Sequence, residues 1–157
     1  MTRKKAIIIS TISGVCLAAG CVVIAICAIP HEYPFRLDEE YYATSESIDI
    51  DKDEYEKLIA KEKSFVVMID KPGCITTSEM RSAMANFSDE YQFKYYRMMW
   101  EEVKESSLHD YVKFTPSIAV IHNGKVIDWL DADSDEDAEY YDSAESLQRW
   151  LKEYIVF

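Results

Sequence analysis

Histidine, cysteine and basic charge are all in short supply, and each shortage removes a class of chemistry. The three histidines, His31, His109 and His122, lie on separate segments. No Ser/His/Asp set and no Cys/His zinc pattern can be drawn from them. Three of the four cysteines, Cys16, Cys21 and Cys27, fall inside one apolar run, where they read as small hydrophobes. Cys74 is left as the single thiol of the polar remainder, so no disulfide can close within that part. Lys and Arg number 17 against 29 Asp and Glu. Arg3, Lys4 and Lys5 precede the apolar run and no acid stands before Glu32, so the remainder carries 14 basic against 29 acidic residues, net −15. A surface so charged repels nucleic acid and anionic lipid, and neither is expected as a partner. With four glycines there is no Gly-rich phosphate loop. No internal repeat and no paired-carboxylate site stands out, and neither a cofactor nor a resident metal is expected.

Apolar content of 48% over 157 residues is enough for one proper core and excludes a disordered chain. Ala6 to Ile29 is 24 residues without a charge. At about 1.5 Å per residue it reaches about 36 Å as a helix, enough for a bilayer core of about 30 Å. Basic residues before it and none just after put the N-terminus in the cytoplasm and the rest outside the cell membrane, single-pass. Residues 1–30 are therefore expected to be a basic tail and transmembrane anchor. A cleaved signal peptide would have a shorter apolar core and a small, polar cleavage region. Leu17-Ala-Ala-Gly-Cys21 resembles a lipobox, but Ala18 is small for its position and Val22 to Ile29 is too apolar for a lipoprotein start. Ala6, Ser10, Gly14 and Ala18 recur every four residues, a stripe that allows weak self-association, although small residues are common in any anchor.

Residues 31–47, aromatic-spotted and polar, read as a juxtamembrane linker, with Tyr33 and Phe35 suited to the bilayer interface. From 48 the pattern alternates. A short strand at Ile48 to Ile50 precedes a helix capped by Asp51 or Asp53 and running to about Lys61. The run Phe65 to Ile69 is a buried strand, stopped by Lys71-Pro72-Gly73. Cys74 then opens a helix, Ile75 to about Tyr91, with Met80, Met84 and Phe87 on one face. Thr76 and Glu79 have capping-box spacing. Phe93 to Trp100 is a strand, and Ser107 to Lys113 a short helical turn. Thr115-Pro116 opens another apolar strand, which Asn123-Gly124 turns into a hairpin with Lys125 to Leu130. A last helix, Ala144 to Tyr154, presents Leu147, Trp150 and Leu151 on one face.

Strand, cysteine at a helix start, helix, strand, Thr-Pro-strand, Asn-Gly hairpin and final helix together resemble the thioredoxin superfamily over 48–157. The resemblance implies an α/β, thioredoxin-like domain, with a central mixed sheet of four or five strands flanked by helices. It also implies a cis bond before Pro116, and a groove beside it in which backbone groups pair with an extended segment. Within the superfamily the chain is similar to small membrane-anchored thioredoxin-like proteins of Gram-positive bacteria, including bacteriocin-transport accessory proteins. Three positions depart from the family pattern. Its Cys-x-x-Cys pair reads Cys74-Ile75-Thr76-Thr77, so the resolving cysteine is a hydroxyl. The buried acid expected six residues before the attacking cysteine is Met68, with Asp70 nearer. Gly73 replaces the tryptophan that usually precedes that cysteine.

The expected site is thus Cys74, with Thr77 as hydrogen-bond donor to its thiolate, and Gly73, Ile75, Thr115 and Pro116 as binding residues. The first reading is a membrane-anchored, extracytoplasmic protein that holds a peptide or protein partner in the groove by Cys74 and Pro116. A second is a monothiol thiol-disulfide oxidoreductase using Cys74, although acidic surroundings would oppose its ionisation. A third is a Ca²⁺-binding surface module. Asp131, Asp133, Asp135, Asp137, Glu139 and Asp142 imitate EF-hand spacing, but Glu136 stands where that loop needs glycine.

Overall fold

The structure, a computed structural model, describes residues 34–157. The anchor expected at 6–29, its orientation and its self-association fall outside the described residues, as do His31 and Tyr33. Among the described residues no helix is long and apolar enough to cross a membrane.

Five strands form one mixed sheet: β1 (Glu46–Ile50), β2 (Phe65–Asp70), β3 (Lys94–Met99), β4 (Ser117–His122) and β5 (Lys125–Trp129). Their order across the sheet is β1-β3-β2-β4-β5. β1, β3 and β2 run parallel, while β4 is antiparallel to β2 and β5 to β4. β2 lies at the centre, and all six of its residues are buried. Covered on both faces, it needs a continuous apolar run rather than an alternating one. The helices are α1 (Lys52–Ala60), α2 (Ile75–Tyr91), the short α3 (Trp100–Val103) and α4 (Ala144–Tyr154). α2 buries Met80, Met84 and Phe87, and α4 buries Leu147, Trp150 and Leu151; the two helices pack against each other.

Local signals explain most boundaries. Asp51 caps α1 and accepts from the Glu54 N–H at 2.8 Å, while the Glu54 carboxylate accepts from the Asp51 N–H at 3.2 Å. This reciprocal box satisfies two otherwise orphaned donors. At the hairpin, Asn123 and Gly124 both take positive φ, +50° and +69°, as a type I′ turn requires. Gly124 also donates its N–H to the Lys63 carbonyl at 2.9 Å. A Cβ there would meet the Ile59 carbonyl oxygen at 2.4 Å, so only glycine lets the hairpin tip seat against the end of α1.

Two expectations change. Thr76 and Glu79 form no capping box: α2 begins at Ile75 with Cys74 as its N-cap, and no side chain caps it. Thr76 therefore lies two residues past the N-cap, too deep to cap. The polar stretch read as a linker belongs to the domain from Phe35 onward. Phe35 exchanges backbone hydrogen bonds with the C-terminal segment, its N–H donating to the Tyr154 carbonyl and its carbonyl accepting from the Val156 N–H, both at 2.8 Å. Phe35, Leu37 and Tyr41 are buried in the core, and the Tyr42 hydroxyl donates to the Val156 carbonyl at 2.7 Å. Phe35 therefore packs on protein, with its ring 4.0 Å from that of His122, and not on lipid. The acids between these residues point outward and give the segment its linker-like composition.

Candidate functional site

The sheet register brings the two site segments to one edge. At the end of β2, Ile69 pairs with Ser117 of β4, and Asp70 pairs with Met99 of β3. The turn after β2 carries Gly73 and Cys74, and the residues entering β4 are Thr115 and Pro116. Both emerge side by side at the same end of the sheet. The Thr115–Pro116 bond is cis, as the resemblance implies. Gly73 has φ +79° in open space, so the turn needs its backbone freedom and not its lack of volume. The rim is apolar and wet: Ile75 is 79% exposed and Phe114 48%.

Cys74 is a free, half-buried thiol at the start of a 17-residue helix. Its pKa is lowered from the ordinary thiol value, first by the Thr77 hydroxyl, then by the Thr77 N–H, with smaller help from the N–H and hydroxyl of Thr76. Desolvation pushes the other way and loses. Donors that strengthen when the sulfur becomes negative favour the thiolate, and unpaired N–H groups at a helix start supply the same field. The Thr77 hydroxyl is fully buried and has no hydrogen-bond partner among the described residues. It makes no bond of ordinary geometry in the resting thiol, yet it lies close enough to the Cys74 sulfur to favour its charged form. Threonine reaches this position because it shares the buried face of α2 with Met80 and Met84.

The acidic surroundings do not suppress the thiol as expected. The hydrogen-bond donors of Thr77 lead its shift, and no carboxylate stands among the leading causes. Asp70, the acid closest in sequence on the preceding strand, is 5% exposed and clamped by Arg81 of α2. The Arg81 Nη2 lies 2.7 Å from both carboxylate oxygens, and its Nε lies 3.1 Å from Oδ2. A bidentate pair of this kind cancels the charge locally and ties the turn to the helix that carries Cys74. The arrangement leaves Asp70 as an anchor for that turn.

Sequence reasoning missed Arg81 and Tyr141. Arg81 follows Asp70 by eleven residues across a turn and two helical windings, and no periodic signal links them. Tyr141 ends a 3₁₀ turn, Ala138–Tyr141, and donates its hydroxyl to the Pro116 carbonyl at 2.9 Å. The acidic loop before it does not assemble a cation cage. Asp137 accepts from the Asp131 N–H at 2.9 Å, and Asp131 from the Asp133 N–H at 3.0 Å. Among the described residues no three His, Cys, Asp or Glu side chains converge as metal ligands. His109 faces the Val112 carbonyl and His122 the Ser64 hydroxyl, ordinary structural roles for both.

No protein-family model matches the chain, and no curated protein sequence matches it. Solved structures do. A reduced thioredoxin pre-protein from Schistosoma mansoni aligns with TM-score 0.53 and 18% identity, over 71% of this chain and all of that one (100%). Oxidised thioredoxin from Plasmodium falciparum aligns with TM-score 0.52 and 15% identity, over 68% of this chain and 96% of that one. Thioredoxin from Trypanosoma brucei brucei gives TM-score 0.50 and 12% identity, over 70% and 95%. The likeness is one of fold: the described residues form a thioredoxin fold.

Proposed function

We propose, on the premise of that fold, that the protein captures cysteine-containing partners through Cys74 as a lone thiol. The observation that carries this reading is the buried, unpartnered Thr77 hydroxyl beside a thiol whose pKa it lowers. The step is a thiol–disulfide exchange. The Cys74 thiolate attacks one sulfur of a partner disulfide, a Cys74–partner disulfide forms, and the other partner sulfur leaves with the electron pair as a thiolate. With a hydroxyl three residues on, no second protein thiol attacks the mixed disulfide. Release falls to a second cysteine of the partner or to a small thiol. The adjacent edge, with Gly73, Ile75, Thr115 and Pro116, would hold an extended partner segment during the exchange. The basic residues ahead of the 6–29 apolar run support an anchored protein working on the outer side of the membrane.

A non-covalent version of the same reading is favoured by the exposure of Ile75 and Phe114 at the rim. In it, the groove binds a partner and Cys74 is spectator. One experiment separates the two. The full chain with Cys16, Cys21 and Cys27 changed to Ser is mixed with bis(2-hydroxyethyl) disulfide, and intact mass is followed. Capture predicts a one-to-one adduct on Cys74, formed faster than on the urea-unfolded chain, with no catalytic insulin reduction until Thr77→Cys restores a second thiol. An adduct no faster than in the unfolded chain eliminates capture and leaves the binding-only reading.

A further inference from the structure

Beside the Cys74 site lies a cleft of about 210 Å³ between α2 and the start of α4. Its lining includes Thr76, Glu79, Met80, Tyr141, Asp142 and Leu147. Two of these residues join it to the site. Thr76 also faces the Cys74 sulfur, and Tyr141 holds the Pro116 carbonyl. A partner segment with its cysteine bonded to Cys74 would run past the mouth of this cleft. The inference rests on the capture reading.

The cleft is built for one kind of side chain. Met80 and Leu147 are buried and give it an apolar floor. Glu79 and Asp142 stand at its exposed rim. Neither has an ion-pair or hydrogen-bond partner among the described residues, unlike Asp49, Asp70 and Glu105, which all pair with Arg or Lys. The cations on the same helices are engaged elsewhere: Arg81 holds Asp70, Arg149 pairs with Glu139 at 3.1 Å and lies over the Tyr140 ring, and Lys152 donates to the Tyr91 hydroxyl at 2.7 Å. The starts of α2 and α4 contribute positive partial charge of about half a unit each, which the two full carboxylate charges outweigh. Asp137 and Asp131 add negative charge near the Tyr141 hydroxyl, whose pKa is raised first by burial and only then by these two acids. A long aliphatic stem over the floor with a cationic tip at the rim satisfies both surfaces at once.

We infer that the cleft between α2 and α4 is a specificity subsite for a Lys or Arg side chain flanking the partner cysteine that Cys74 captures. The test uses the full chain with Cys16, Cys21 and Cys27 changed to Ser. The probes are two peptides, identical except for Arg or Glu on both sides of one cysteine activated as its thionitrobenzoate disulfide. Release of thionitrobenzoate gives each rate, and bis(2-hydroxyethyl) disulfide provides the reference rate for each variant. The Arg peptide is expected to react about three- to tenfold faster than the Glu peptide, relative to that reference, at low salt, the range that one or two partly screened ion pairs supply. The preference should shrink as salt is raised and fall to near unity in the Glu79→Gln/Asp142→Asn double variant. Equal rates, a preference for Glu, or an Arg preference that survives the double variant overturns the subsite while leaving capture intact. If Cys74 reacts with none of the disulfides, capture itself fails, and the subsite that rests on it is overturned with it.

Discussion

At the scale of single residues, the protein keeps a donor that has nothing to do in the resting thiol. A buried hydroxyl without a partner costs about 1–3 kcal/mol of stability, and Thr77 has such a hydroxyl. Thr77→Val is therefore expected to leave the unfolding free energy unchanged or raise it by up to about 1 kcal/mol. Chemical denaturation reads this directly, and a loss above about 1 kcal/mol would show that the hydroxyl has a structural partner after all. The sequence exposed Cys74, Thr77 and Pro116 because each falls at a recognisable offset from a turn or strand. It could not expose Arg81 or Tyr141, whose roles arise only when a strand end meets a helix side or a remote 3₁₀ turn. The expectation that nearby acids suppress the thiol failed for the same reason. Net charge counts Asp70, but the guanidinium of Arg81 neutralises it.

At the scale of elements, local chemistry decided nearly everything. The capping box at Asp51 and Glu54, the Asn123-Gly124 turn and the helical spacing in α2 and α4 each produced the element they signal. The Thr76/Glu79 pair did not, because spacing alone does not say where a helix starts, and Cys74 took the N-cap. Gly124 shows a turn doing two jobs. Its φ of +69° suits the hairpin, and its missing Cβ makes room for the Ile59 carbonyl at the end of α1. Gly124→Ala should accordingly cost more than about 2 kcal/mol, combining backbone strain with a main-chain clash. Gly73→Ala, with positive φ but open space around it, should cost only about 1–2 kcal/mol. Equal costs measured by urea titration would mean that the hairpin tip is not seated against α1.

At the scale of the whole molecule, the boundary between linker and domain was the least legible feature. Polar composition marks 31–47 as a spacer, yet Phe35, Leu37 and Tyr41 complete the core and tie the start of the described chain to its end. Long-range pairing of this kind leaves no periodic trace, since the partner, Ile155, lies 120 residues away. Phe35→Ala in the full chain should destabilise by about 3–5 kcal/mol, the range for a buried phenylalanine. A loss below about 1 kcal/mol would return the segment to a spacer. The mixed sheet, by contrast, was implied by the superfamily resemblance as one of four or five strands, and five formed.

All of these scales converge on the state of one sulfur, and its titration tests the account most directly. In the full chain with Cys16, Cys21 and Cys27 changed to Ser, the rate of Cys74 alkylation by iodoacetamide is measured against pH. A lowered thiol pKa means that the reactive thiolate is populated at a lower pH than in an ordinary cysteine. The rate should thus rise through an inflection below that of the urea-unfolded chain, and Thr77→Val should move the inflection back up. An inflection at or above the unfolded value, or one that Thr77→Val leaves in place, would contradict the claim that the hydroxyl at position 77 readies Cys74 for exchange.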